Sequence, residues 1–140
     1  MTLEGLPEYA RELLATARVA HLGLLDDELR PRVLPVTFAV HEGAVWSAVD
    51  AKPKRVAGEE LARVRWLRGR PTASLLVDRY DEDWTRLAWV QLVGSVEVLA
   101  DPATAADALA SKYRQYRDTP PAGPWLRLVP ERALHWRAAG

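Results

Sequence analysis

The stretch Lys52-Pro53-Lys54-Arg55 is the part of this sequence whose residue types most directly indicate a chemistry, because it places three cations within four residues. It follows the apolar run Ala44 to Val49, which predicts a buried strand. Pro53 lacks an N–H and disfavours helical geometry at Lys52, so the chain is expected to turn here. Cationic side chains at a strand-to-helix turn, near free backbone N–H groups, suit an anion such as phosphate. Spacing alone fits a solvated surface turn equally well.

Other chemistries find less support in the sequence. The chain has no cysteine, which excludes disulfides, thiolate nucleophiles and cysteine-based metal sites. Its three histidines, His21, His41 and His135, are far apart and show no ligand spacing, so no zinc site is predicted. The acidic run Asp81-Glu82-Asp83 is interpreted as a hydrated loop. No glycine-rich phosphate loop and no nucleophile elbow occurs.

The composition is that of an ordinary globular protein. A length of 140 residues predicts a single domain, residues 1–140, large enough to bury a core. The 19 basic and 19 acidic residues give a formal net charge of +0, which disfavours nucleic acid as a partner. No apolar run reaches membrane-spanning length, and Met1 to Ala10 lacks the apolar core of a signal peptide, so we expect a cytoplasmic protein that does not bind membranes.

Periodicity and turn residues predict six strands and three helices. The predicted strands are Val19–Leu25, Pro31–Val40, Ala44–Val49, Thr72–Tyr80, Leu87–Leu99 and Trp125–Trp136. The predicted helices are Leu6–Arg18, Arg55–Gly69 and one that starts at Asp101-Pro102 and runs to about Arg117. Hairpin-connected strands with helices only between them favour a mainly β (α+β) fold, a small antiparallel barrel with flanking helices.

Four features within or between these strands carry specific structural predictions. Glu42-Gly43 predicts a tight hairpin. Pro35 cannot donate to a strand ladder, so it predicts a bulge or an unpaired edge. Gly94 predicts a bulge or bend in the fifth strand. Pro130 is expected to break the last strand into two pieces.

A resemblance to a known family is carried by four segments, Arg30–Phe38, Ala48–Arg55, Ser74–Trp84 and Lys112–Arg117. They resemble the split-barrel flavin-binding proteins related to pyridoxamine phosphate oxidase. Within that family they are similar to the actinobacterial branch of probable oxidoreductases that depend on the deazaflavin coenzyme F-420. The resemblance extends from about Arg18 to the C-terminus. It implies a six-stranded antiparallel split β-barrel of the FMN-binding type with flanking helices.

The resemblance also implies a homodimer with two cofactor clefts at the subunit interface. The residues that would line the ring system, largely through backbone atoms, are Pro35, Val36, Thr37 and Phe38. Those that would flank the ribityl chain are Ser47, Ala48 and Val49. The phosphate would be held by Lys52, Lys54 and Arg55. The partner subunit would supply aromatic cover from Trp84 and Trp89, with Trp125 and Trp136 as weaker candidates.

The activity expected from this resemblance is hydride transfer between reduced coenzyme F-420 and an unsaturated organic small molecule. An FMN-dependent oxidase or reductase of the same fold is an alternative, as is a non-catalytic carrier of a deazaflavin or haem. No side chain is assigned a catalytic role, because Tyr80, Asp78 and His21 each suit a structural position better than a proton donor.

Overall fold

The computed structural model describes residues 1–49 and 61–139, which form one antiparallel sheet with flanking helices. Its strands are β1 Ala20–Leu25, β2 Pro31–Val36, β3 Ala39–His41, β4 Ala44–Ala48, β5 Thr72–Arg79, β6 Ala88–Leu99 and β7 Trp125–Arg137. They are ordered β2-β1-β5-β6-β7-β4-β3. The helices are α1 Glu8–Thr16, α2 Ala62–Gly69, α3 Ala105–Lys112 and α4 Arg114–Asp118, with 3₁₀ turns at Leu3–Gly5 and Trp84–Arg86.

The predicted strand Pro31–Val40 is divided in two, so the described sheet has seven strands where six were expected. The division falls at Thr37 and Phe38, whose backbone groups bind side chains instead of a neighbouring strand. The resulting pieces, β2 and β3, form the two edges of the sheet and do not pair with each other, so the described strands do not close into a barrel. The expectation that Pro35 lies at an edge is confirmed, because β2 is an edge strand.

The long β6–β7 pair forms the centre of the sheet and contains the bulge predicted at Gly94. Gly94 pairs with Pro130 while Val93 pairs with Arg132, which leaves Glu131 without an opposite residue. The expected break at Pro130 is wrong, since β7 runs continuously from Trp125 to Arg137. The bulge accommodates a proline that cannot donate to the ladder.

The predicted hairpin at Glu42-Gly43 joins β3 to β4. Both residues have positive φ, 48° and 75°, as the favoured two-residue hairpin turn requires. Glycine adopts this conformation without steric cost, which suits the second position of the turn.

Two helix boundaries differ from the prediction for reasons visible in the backbone. The helix expected from Asp101-Pro102 begins only at Ala105, because Ala103 has a positive φ of 49° and its N–H donates to the Asp101 carboxylate at 2.8 Å. The same helix is interrupted at Tyr113, whose φ of −120° and ψ of 119° are extended. The opening helix is also shorter than expected, and the first part of the predicted Arg55–Gly69 helix lies outside the described residues.

Alternation along the strands separates the core from the outer face of the sheet. In β6 the side chains of Val90 and Leu92 are fully buried, and those of the alternate residues Gln91 and Val93 face outward. A second cluster lies between β4 and α3, with Trp46 and neighbours including Leu109, Tyr113 and Trp125. None of the described helices is both long enough and apolar enough to cross a membrane.

Candidate cofactor site

The strip Pro35–Phe38, which joins the two edge strands, combines exposed and buried side chains. Pro35 is exposed and Thr37 half-buried, whereas the side chains of Val36 and Phe38 are buried in the core. A ligand lying along this strip would therefore meet Val36 and Phe38 through their backbone. The edge position matters because edge strands leave alternate N–H and C=O groups without a ladder partner.

Side chains from three other elements hold this strip in place. The Ser47 hydroxyl donates to the Thr37 carbonyl at 2.7 Å. The Thr37 and Tyr116 hydroxyls are hydrogen-bonded at 2.6 Å. The Tyr113 hydroxyl oxygen accepts from the Phe38 N–H at 3.1 Å and donates to the Arg18 carbonyl at 2.8 Å. The hydroxyls of Thr37, Ser47, Tyr113 and Tyr116 thus fix the part of the strip that lies between β2 and β3.

Replacing Tyr113 with phenylalanine should lower the free energy of unfolding by about 2 kcal/mol, because the buried Phe38 N–H and the Arg18 carbonyl both lose a partner. Urea denaturation measures the change. Tyr80 is exposed, so Tyr80→Phe serves as the matched control, with an expected effect within about 0.5 kcal/mol. Equal effects of the two substitutions would contradict a specific role for the Tyr113 hydroxyl.

Lys112 lies against the same strip, although no motif in the sequence around it indicates a role. Its Nζ is 3.6 Å from the centroid of the Phe38 ring and 3.4 Å from the Leu14 carbonyl oxygen in the last turn of α1. Burial and, to a smaller extent, the nearby charge of Arg18 lower the pKa of Lys112 from 10.5 to about 8. Burial likewise raises the pKa of Tyr113, which keeps its hydroxyl protonated.

The lowered pKa of Lys112 predicts a pH-dependent stability. Between about pH 8 and 10.5 the folded chain binds fewer protons at this amine than the unfolded chain, so the free energy of unfolding should rise with pH. Chemical denaturation of the wild type and of Lys112→Met from pH 7.5 to 9.5 measures this rise. The wild type should gain stability relative to the variant across that range. A constant difference between the two proteins would refute the assignment.

The residues expected to flank the ribityl chain lie at the end of β4 and are all buried. Ser47 pairs with Leu126 and Ala48 with Trp125. The Val49 N–H donates to the Pro124 carbonyl at 3.0 Å. This hydrogen bond anchors the end of β4, three positions before Lys52. Lys52, Lys54 and Arg55 lie outside the described residues.

The four tryptophans assigned to aromatic cover differ in exposure and position. Trp84 is 68% exposed in its 3₁₀ turn, and Trp89 is half-buried directly opposite the exposed Trp136. Trp125 is buried in the second cluster, so its side chain packs in the protein interior.

Trp89 and Ser47 lie at different ends of the sheet. Ser47 lies beside Leu126, which pairs with Val98 of β6. Val98 and Trp89 are nine positions apart along that strand, a path of about 30 Å at the usual rise per residue.

The outer face of the sheet is largely uncovered in the single chain. One row of directly opposite residues crosses five strands, namely Pro35, His21, Leu76, Gln91 and Leu134. A parallel row includes Val33, which is 67% exposed, and Gly23, which presents no side chain. This face, which we call the outer sheet face, carries several exposed or half-buried apolar side chains.

The strip fits one side of a binding site for a flat ring. It offers backbone groups at an open sheet edge and hydroxyls that hold the backbone rigid. Among residues 1–49 and 61–139 no group of three or more histidine, aspartate or glutamate side chains is arranged to hold a metal ion.

An open antiparallel sheet with this strand order and with flanking helices defines a protein of the split-barrel fold. The chain belongs to the pyridoxamine 5′-phosphate oxidase family, whose model matches residues 6–137. Comparison with curated proteins gave no match.

Solved structures support the same fold. A conserved hypothetical protein of Mycobacterium tuberculosis is similar with a TM-score of 0.73 and 16% identity, over 90% of this chain and 81% of that one. An FAD-binding protein of Mesorhizobium loti has a TM-score of 0.68 and 19% identity, over 96% of both chains. A protein described as an F420 reductase has a TM-score of 0.66 and 19% identity, over 92% of this chain and 98% of that one.

Proposed function

We propose that this chain is an F-420-dependent oxidoreductase that transfers a hydride between the reduced deazaflavin and an unsaturated organic substrate. Its family and the fold it shares with an F420 reductase and an FAD-binding protein support a redox role with a flavin-like cofactor. The resemblance of its sequence segments to the F-420-using branch supports the choice of cofactor.

The observation that carries the proposal is the strip Pro35–Phe38 at the open edge of the sheet. Its backbone is fixed by Ser47 and Tyr113, so a ring lying along it would meet groups that are already in position. Lys52, the first residue of the cationic stretch Lys52–Arg55, follows Ser47 by five positions in the sequence. A strip that could face a ring and, shortly after Ser47 in the sequence, three cations that could bind a phosphate match the two ends of a ribityl phosphate cofactor.

The chain's own residues would mainly bind, orient and desolvate the reactants. When bound, the deazaflavin supplies hydride chemistry, because carbon replaces a ring nitrogen of the flavin. The strip would hold the ring flat, the buried end of β4 would exclude water from the ribityl chain, and Lys52, Lys54 and Arg55 would neutralise the phosphate. No side chain has to form a covalent bond with the substrate.

The active form we propose is a homodimer that joins two copies near the outer sheet face. The exposed Val33 and Trp136 on this face would be buried by a second copy. Dimerisation would also allow Trp84 and Trp89 of one protomer to cover the strip of the other.

Titration of the purified protein with F-420 and, separately, with FMN tests the choice of cofactor. Quenching of tryptophan fluorescence reports binding, and Trp84→Phe and Trp89→Phe should each reduce the quenching. We expect tighter binding of F-420 and transfer of hydride from reduced F-420 to at least one acceptor in a panel of enones, quinones and tetrapyrroles. Tighter binding of FMN would contradict the F-420 assignment. Tight F-420 binding without turnover of any acceptor would instead indicate a carrier.

A further inference from the structure

An open cleft of about 490 Å³ lies at the end of the sheet far from β4. Its lining includes three arginines, Arg79 at the end of β5, Arg86 in the 3₁₀ turn and Arg137 at the end of β7, together with Tyr9 of α1. None of these residues belongs to the proposed cofactor site. Register brings them together, because Arg79 pairs with Ala88 and Ala88 with Arg137.

The arginine side chains are positioned by contacts within the cleft. The Arg79 Nε donates to the Arg86 carbonyl at 2.6 Å. The Arg137 guanidinium lies 4.8 Å from the centroid of the Tyr9 ring, and the Tyr9 hydroxyl is hydrogen-bonded to His135 Nδ1 at 2.6 Å. These contacts reduce the side-chain freedom that a ligand would otherwise have to restrict.

The positive charge of the cleft is only partly neutralised. Arg86 forms an ion pair with Asp81, with Nε and Oδ2 at 3.1 Å. No carboxylate in the described parts of the chain lies within ion-pair distance of Arg79 or Arg137. Among the described residues, two guanidinium groups therefore face the same solvent-filled space without an anionic partner, in a cleft large enough for a small organic molecule.

We infer that this cleft binds the phosphate or carboxylate group of a small organic anion. Guanidinium groups suit such planar or tetrahedral oxyanions because they donate two parallel hydrogen bonds. The cleft is distinct from the proposed cofactor strip within one protomer, since none of the residues that line it belongs to Pro35–Phe38 or to β4. Binding here does not depend on the identity of the redox cofactor.

Calorimetric titration of the full-length chain with phenyl phosphate, benzoate and the neutral benzyl alcohol tests the inference. We expect saturable binding of at least one of the two anions and none of the alcohol. Tighter binding of phenyl phosphate would identify a phosphate site, and tighter binding of benzoate a carboxylate site. The double variant Arg79→Gln, Arg137→Gln should weaken the preferred anion at least tenfold, whereas Arg114→Gln, an exposed arginine of α4, should change affinity less than twofold.

A second measurement uses the wild type, so that it does not depend on whether the double variant folds. The Nε–Hε resonances of Arg79 and Arg137 should shift during the anion titration, and that of Arg114 should not. Absence of saturable binding by both anions would overturn the inference, as would equal weakening by the control substitution or unshifted Arg79 and Arg137 resonances.

Discussion

Replacing Gly94 with alanine is expected to lower the free energy of unfolding by about 3 kcal/mol, the upper part of the range for overpacking. A Cβ at this position would lie 2.0 Å from the Val129 carbonyl oxygen and 2.9 Å from its carbon. Both atoms belong to the backbone of β7, so the clash cannot be relieved by a side-chain rotation. Relief requires the two longest strands to separate at their bulge. Equilibrium urea denaturation measures the loss.

Gly69 provides the matched control for this substitution. It is the last residue of α2, and a Cβ there would meet no atom within 4 Å. Gly69→Ala should therefore leave stability unchanged or raise it by up to about 1 kcal/mol, since alanine favours the helix. If Gly94→Ala were as well tolerated as Gly69→Ala, the close packing of β6 on β7 at the bulge would be wrong.

Replacing Lys54 with alanine should weaken F-420 binding by about 1.5–3 kcal/mol, the range for a hydrogen bond to a charged group, with little effect on folding. This corresponds to a roughly tenfold to 150-fold increase in Kd. The double variant Lys52→Ala, Lys54→Ala should weaken binding further. Fluorescence titration measures the affinities, and thermal melting checks the fold.

Arg114→Ala controls for the general loss of a surface cation, and its affinity for F-420 should match that of the wild type. Unchanged affinity in the double lysine variant would eliminate the phosphate assignment of the turn, whatever the cofactor proves to be. A general loss of affinity in all variants would point to long-range attraction of the anion instead of direct contact.

Most of the fold follows from local signals in the sequence. The turn at Glu42-Gly43, the edge position of Pro35 and the bulge at Gly94 are each predicted by one residue type with a restricted or permissive backbone. The interruption of the second strand has no such signal. It depends on hydroxyls from Ser47 and Tyr113, which are 10 and 75 residues from the backbone groups they bind.

The candidate sites show the same division between local and distant determinants. The strip and the cationic stretch Lys52–Arg55 are continuous segments: the resemblance to a known family assigns the strip, and the residue types of the stretch indicate an anion. Lys112 and the arginine cleft depend on tertiary structure. Lys112 contacts a ring 74 residues away, and strand register brings together the three arginines of the cleft from three separate segments. Arginines scattered along a sequence carry no pattern that distinguishes such a cluster from ordinary surface charge.

A crystal structure of the protein with bound F-420 tests the central proposal most directly. We expect a twofold dimer in which the deazaflavin ring lies along Pro35–Phe38 of one protomer, its phosphate contacts Lys52, Lys54 or Arg55, and Trp84 or Trp89 of the partner covers the ring. A ring bound away from this strip, or a complex in which the three cations do not contact the phosphate, would contradict it.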